Sequence, residues 1–167
     1  MRTRISAMPF VFATIAGCSN LGPVSAAPIS PALNGTYQAV SNGDFAKTDG
    51  VYRDLPSVVS TWTIESTCVD VQTCTGRVSS DQGWTADMYY QTQSWRLRRT
   101  LPDWQGCPDG TRSTGFQLFF FYPYSGNEFE PGSPLLVGED ITTGRPGACG
   151  RGYPVEIRLP FRLTKIT

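Results

Sequence analysis

The sequence predicts an all-β fold: a single antiparallel domain of about eight strands, held by two disulfides. The form expected is a small up-and-down barrel of the avidin or lipocalin kind, or a sandwich. Three observations predict it. Polar and apolar residues alternate in stretch after stretch, with β-branched and aromatic residues on the apolar side. Turn signals such as Asn42-Gly43, Asp49-Gly50 and Asp81-Gln82-Gly83 separate these stretches at short, even intervals. Five cysteines sit in a chain that opens like an exported protein, and no stretch beyond that opening has the period of an amphipathic helix.

Residues 1–17 start basic, with Arg2 and Arg4, and continue as an apolar run broken by Pro9. The run is too short to span a bilayer and has the proportions of a signal peptide. Two cleavage sites compete. Ile15-Ala16-Gly17-Cys18 looks like a lipobox, which predicts cleavage before Cys18 and acylation of its thiol. That would anchor the chain on the outer face of the cytoplasmic membrane. Val24-Ser25-Ala26 is an A-x-A-like site that would release a secreted or wall-associated chain after Ala26. Residues 18–32 are small, polar and proline-rich and read as a flexible tether. The β domain is expected over residues 33–167.

Within the domain, residues 35–41 form the first strand and Asn42-Gly43 turns it. Residues 44–56 are polar and predict a long loop or a short strand. From residue 58 the alternation is regular: Val58, Ser60, Trp62 and Ile64 share one face, and Val59, Thr61, Thr63 and Glu65 the other. Residues 75–80 resume the extended pattern, and Trp84, Ala86, Met88 and Tyr90 mark the next strand face. Over residues 94–101, Trp95, Leu97, Arg99 and Leu101 lie together, opposite Arg96 and Arg98. Residues 114–124 carry aromatics on both faces, which predicts a strand covered on both sides or one that exposes an apolar surface. Residues 135–141 form a strand of mixed character, and residues 142–152 a glycine-rich loop holding Cys149. The last strand, over residues 155–163, is the cleanest alternation in the chain. Pro160 within it predicts an edge position or a bulge. Gly35-Thr36-Tyr37 at the start and arginines at the end are like the closure of avidin-like and lipocalin-like barrels, which predicts contact of Tyr37 with Arg158 or Arg162.

Several of these segments carry a resemblance. The stretch from Trp62 to Cys68, the stretch from Cys74 to Trp84, Gly138-Glu139-Asp140, Gly147-Ala148-Cys149 and the ending from Pro160 to Ile166 resemble small exported proteins of mycobacteria and related actinobacteria, over about residues 33–166. No activity is established for that group. The resemblance implies export and a shared β-rich fold, and no mechanism or functional residue.

Acylation of Cys18 would leave four cysteines, which allow three pairings. Proximity favours Cys68 with Cys74, leaving Cys107 with Cys149. In the chain-entropy model these closures stabilise by about 2 and about 4 kcal/mol.

Composition removes several chemistries. Formal net charge is zero, and removal of the leader with its two arginines leaves the rest slightly acidic. A nucleic-acid partner would call for a basic excess. Histidine is absent, which excludes Ser-His-Asp and Cys-His pairs and histidine-ligated metal. Paired cysteines leave no thiol nucleophile. No P-loop or dinucleotide fingerprint occurs, so no cofactor is expected. Glu139 and Asp140 could serve a carboxylate hydrolase, but neighbours on a strand point to opposite faces. Asp44, Asp49 and Asp54 match no EF-hand spacing.

Two features point to binding. Arg99 shares the apolar face of its strand and needs a partner if buried, for which Glu139, in phase with Val137 and Ile141, is the candidate. A free guanidinium there would recognise an anionic ligand. Trp84, Trp95, Phe116 and Phe120 could line a cavity or a partner surface. The sequence therefore reads as a monomeric, non-catalytic envelope module that binds a small apolar ligand, a cell-wall component or another exported protein. A structural or inhibitor-like module, with a filled core and both disulfide loops on one end, is the alternative. A carboxylate-dependent hydrolase comes third.

Overall fold

The computed structural model describes residues 29–126 and 128–167. The leader, its two cleavage sites and Cys18 lie outside the described residues. Eleven strands follow one another: β1 (Gly35–Ser41), β2 (Lys47–Thr48), β3 (Val51–Tyr52), β4 (Val58–Cys68), β5 (Cys74–Ser80), β6 (Thr85–Gln91), β7 (Ser94–Gly106), β8 (Arg112–Ser125), β9 (Glu128–Phe129), β10 (Leu135–Gly144) and β11 (Glu156–Lys165). Eight of them pair antiparallel in the order β1-β4-β5-β6-β7-β8-β10-β11, and β11 returns to β1 to close a barrel. The three two-residue strands are accessories. β2 and β3 extend the sheet from β11, and β9 pairs with the end of β8. Barrel and sandwich are equally compatible with the alternation; the β1–β11 ladder decides for the barrel.

That ladder also corrects two expectations. Tyr37 stands opposite Trp62 on one side and Lys165 on the other, with its ring inside the barrel. Arg158 and Arg162 are on the outer phase of β11, so neither meets Tyr37. Closure is made by the backbone ladder. Pro160 is not at an edge: β10 pairs it at Glu139. Its missing N–H faces the side where β11 passes from β2, at Ile157 and Arg158, to β1, at Phe161. The 3₁₀ turn Gly43–Phe45 interrupts the partner strand there, and the Pro160 carbonyl accepts from the Asn42 N–H at 2.8 Å. Proline is tolerated where no ladder donor is needed. The strand expected to end at residue 141 runs on to Gly144 before the loop begins.

Period two sends alternate residues inward, and the inward set is layered. One end is filled by Tyr37, Ile64, Val78, Met88, Trp95, Leu97, Phe121, Leu136 and Leu163, all buried. Residues 30–34 cross this end: the Trp95 indole donates to the Pro31 carbonyl at 3.1 Å, and Ser66 and Leu33 bond each other through backbone and hydroxyl. Above this layer sits an aromatic belt. Trp62 meets Trp84 and Phe119 edge-on, with ring centroids 5.3 and 5.0 Å apart, and lies 5.2 Å from Phe161. Such pairs add about 0.5–1.5 kcal/mol each beyond area burial.

Both expected disulfides form, Cys68–Cys74 and Cys107–Cys149. They lie at opposite ends. Cys68 and Cys74 pair directly across β4 and β5 at the filled end. Cys107, beyond the end of β7, ties the β7–β8 hairpin to the 3₁₀ turn Ala148–Gly150 before β11, at the other end. Loop length sets their expected weight. Removing Cys107–Cys149 by paired alanine substitution should lower unfolding free energy by about 4 kcal/mol, against about 2 kcal/mol for Cys68–Cys74. Urea denaturation of the two double variants checks this order.

Candidate functional site

The barrel is not filled throughout. Above the aromatic belt a cavity of about 470 Å³ opens at the end opposite residues 30–34. Its floor and walls are Trp62, Trp84, Phe119, Leu159 and Phe161, and Leu55, Pro56, Gln82 and Trp104 stand at the rim. An eight-stranded barrel is wide enough to hold one small ligand, and this volume falls in the usual range for small-molecule sites.

The mouth is polar because the inward phase of four strands carries polar side chains there. β1 ends on Ser41, β7 contributes Arg99, β8 Gln117, and β10 Asp140 and Thr142. Arg99 stands opposite Gln117, and Gln117 opposite Thr142. The side chains form a relay. The Ser41 hydroxyl donates to Asp140 Oδ2 at 2.7 Å. The Gln117 amide donates to Asp140 Oδ1 at 2.6 Å, and its carbonyl accepts from Arg99 Nε at 2.6 Å. The guanidinium lies over the Trp84 ring, 4.2 Å from its centroid, a contact worth about 0.5–2 kcal/mol.

Asp140 is only 4 % exposed. A carboxylate so placed must be hydrogen-bonded or lose its charge. Burial pushes its pKa above the ordinary carboxylate value, while the bonds from Ser41 and Gln117 and the charge of Arg99 pull it down. Burial lowers the Arg99 pKa from its ordinary value, and Asp140 opposes that shift. Among the described residues the two are the only charged ones lining the cavity.

Trp104 forms part of the roof. The register of β7 against β8 shifts between Leu101 and Gln105, Asp103 takes a φ of 54°, and the Arg112 guanidinium donates to the Asp103 carbonyl at 2.6 and 2.9 Å. This bulge turns the Trp104 indole back over Gly115 and Gly144, which face each other on β8 and β10. A Cβ on Gly115 would stand 2.8 Å from the indole. The two glycines leave the space that the tryptophan occupies. The Trp84 indole Nε1 is the single buried side-chain polar atom without a partner among the described residues.

The structure separates the residues singled out from sequence. Arg99 and Trp84 line the cavity. Trp95 is buried at the filled end. Phe116 and Phe120 are on the outer phase of β8, in a stripe with Leu118 and Tyr122, and Arg145 and Arg96 lie over their rings at 5.8 and 5.6 Å. Glu139 is not the partner of Arg99. It faces outward and pairs with Arg158 at 3.0 Å, which also holds Glu156. Arg99 bonds Gln117 and reaches Asp140 through it, because Val137, Glu139 and Ile141 share the outer phase of β10, and Leu136, Gly138, Asp140 and Thr142 the inner one. Ser41, Gln117 and Asp140 were missed as a group. The one available signal was Gln117 and Asp140 standing in phase with buried neighbours. Among the described residues no group of three or more histidine, cysteine or acidic side chains is placed to hold a metal ion.

No protein-family model matches this chain, and no curated protein matches it. Among solved structures it is similar to the monomer form of the M. tuberculosis PknI sensor domain. The TM-score is 0.59 with 18% identity, covering 84% of this chain and 90% of that one. At that identity the likeness is one of fold.

The raised pKa of Asp140 has a consequence for stability. Unfolded, the group titrates near its ordinary value of about 4; folded, it titrates higher. Between the two the folded chain holds more proton, so this contribution to stability is full at acid pH and is lost as pH rises through the folded value. Asp140→Asn removes it. The melting temperature of the variant minus that of the wild type should therefore rise from about pH 4 to about pH 7, as read by thermal denaturation across that range.

Proposed function

We propose that this chain is an exported, non-catalytic binding module that takes a small apolar or amphipathic molecule of the cell envelope into its barrel. The cavity of about 470 Å³, floored by aromatic side chains and rimmed by one cation–carboxylate relay, carries the reading. Two disulfides suit an oxidising compartment outside the cytoplasm. The fold shared with a sensor domain is consistent with binding rather than turnover. A hydrolase built on paired carboxylates would need a second acid beside Asp140, and among the described residues the cavity lining supplies none. The structural or inhibitor-like alternative calls for a filled core and both disulfide loops on one end, and neither supports it here.

Anchoring through acylated Cys18 belongs to the same proposal. It would tether the barrel by the end that residues 30–34 cross, opposite the mouth. Intact mass of the exported protein tests it: a diacylated N-terminal cysteine is expected, and an unmodified N-terminus at Ala27 rejects the anchor.

A second reading, contact with another exported protein, draws on the outward stripe of Phe116, Leu118, Phe120 and Tyr122. Native mass spectrometry after mild extraction separates the two. The cavity reading expects a co-purifying small molecule, lost in Val58→Trp. Val58 is the first residue of β4, stands at the mouth and is 44% exposed, so a larger side chain blocks access with little effect on folding. Equal ligand load in that variant rejects the cavity as the site.

A further inference from the structure

We propose that the barrel's ligand is an amphipathic monoanion whose acidic head sits on Arg99, and that it enters with a proton that settles on Asp140. This rests on the cavity being a binding site, and adds to it the ligand's charge and a linkage to pH.

The first part follows from how Arg99 is held. Only its Nε is used, by Gln117. The two terminal nitrogens donate to no acceptor among the described residues, and no ion pair there joins Arg99 to Asp140 directly. The carboxylate acts on the guanidinium through Gln117 and at a distance, so the fork that matches a carboxylate or sulfonate is left to the cavity. Trp84 beneath the guanidinium and Gln117 at its Nε fix its plane. Trp62, Phe119, Leu159 and Phe161 below it present an apolar wall to the rest of the molecule.

The second part follows from charge. With Asp140 ionised, the empty site holds one positive and one negative group and is neutral. An anion on Arg99 adds a negative charge close to Asp140 in a region poor in water, where like charges repel strongly. Among the described residues no other ionisable side chain lines the cavity, from β1, β4, β7, β8, β10 or β11, to offset it. A proton on Asp140 restores neutrality: ligand anion, arginine cation, neutral acid. The hydrogen bonds admit that proton at one oxygen. Oδ1 faces the Gln117 amide nitrogen, which can only donate. Oδ2 faces the Ser41 hydroxyl, which can reverse and accept. Protonation at Oδ2 therefore turns one bond around and breaks none. Burial already favours the neutral acid there.

The test uses decane-1-sulfonate, which stays ionised at all working pH, and decan-1-ol, its uncharged counterpart. Calorimetric titration of the exported protein in two buffers of different ionisation enthalpy counts protons. The expected result near neutral pH is uptake of about one proton per sulfonate bound and none with the alcohol, with sulfonate affinity falling up to about tenfold per pH unit in the alkaline direction. Arg99→Gln should weaken the sulfonate at least about tenfold more than it weakens the alcohol. Asp140→Asn, which keeps the acid's shape without its charge, should bind sulfonate with no proton uptake and no pH dependence. If that variant does not fold, the proton count in the wild type decides. Sulfonate bound without a proton overturns the linkage. Sulfonate and alcohol bound equally by wild type and Arg99→Gln overturns the anion site and leaves the cavity reading standing. Failure of the folded protein to bind either probe removes both.

Discussion

Closure of the sheet by β11 on β1 is the constraint on which the rest depends. An open eight-stranded sheet would have two exposed edges and no inside. Once Tyr37 through Ser41 pair with both Trp62 through Val58 and Lys165 through Phe161, every barrel strand has two neighbours and one common interior. The two-residue period then sorts the chain without further instruction. Inward residues are packed aromatics and aliphatics at one end and a ring of polar groups at the other. The Pro160 position shows how tightly this is arranged. The residue without a donor stands where the partner strand breaks, so closure leaves no ladder bond unmet.

The polar mouth follows from the same closure. Asp140 and Arg99 are on strands separated by β8, and on an open sheet each could turn to water. In the barrel both are held inward, and the conflict between burial and charge is resolved by sharing Gln117 and Ser41. A buried carboxylate and a partly buried arginine joined through an amide are poor devices for stability alone, since an apolar pair would avoid the desolvation. Their placement in a cavity with the guanidinium fork unused is what points to a ligand.

Much of the fold was legible in the sequence. Strand faces through Trp62, Met88, Trp95 and Leu97 were read from alternation, and each proved to face the interior. Both disulfides followed from counting and proximity. The site was legible only in part. Arg99 and Trp84 stood out because a charge or a large ring falls in an apolar register. Its partner was misread on β10, where the outer phase, Val137 and Ile141 around Glu139, looks more like a core face than the inner phase does. Outward apolar residues there lie beside the aromatic stripe of β8, and the inner phase has small and polar residues because it borders a cavity.

The sequence by itself determined the eight barrel strands, which residues share a face on each, the turns between them and a preferred cysteine pairing, because each depends on residues near in the chain or on a count. Only the tertiary structure decided which phase of β10 is inside, that Trp104 folds over Gly115 and Gly144, and that Ser41, Arg99, Gln117 and Asp140 converge. Those facts depend on the register and curvature of strands far apart in sequence. Alternation says which residues share a face, and only closure says which way that face looks.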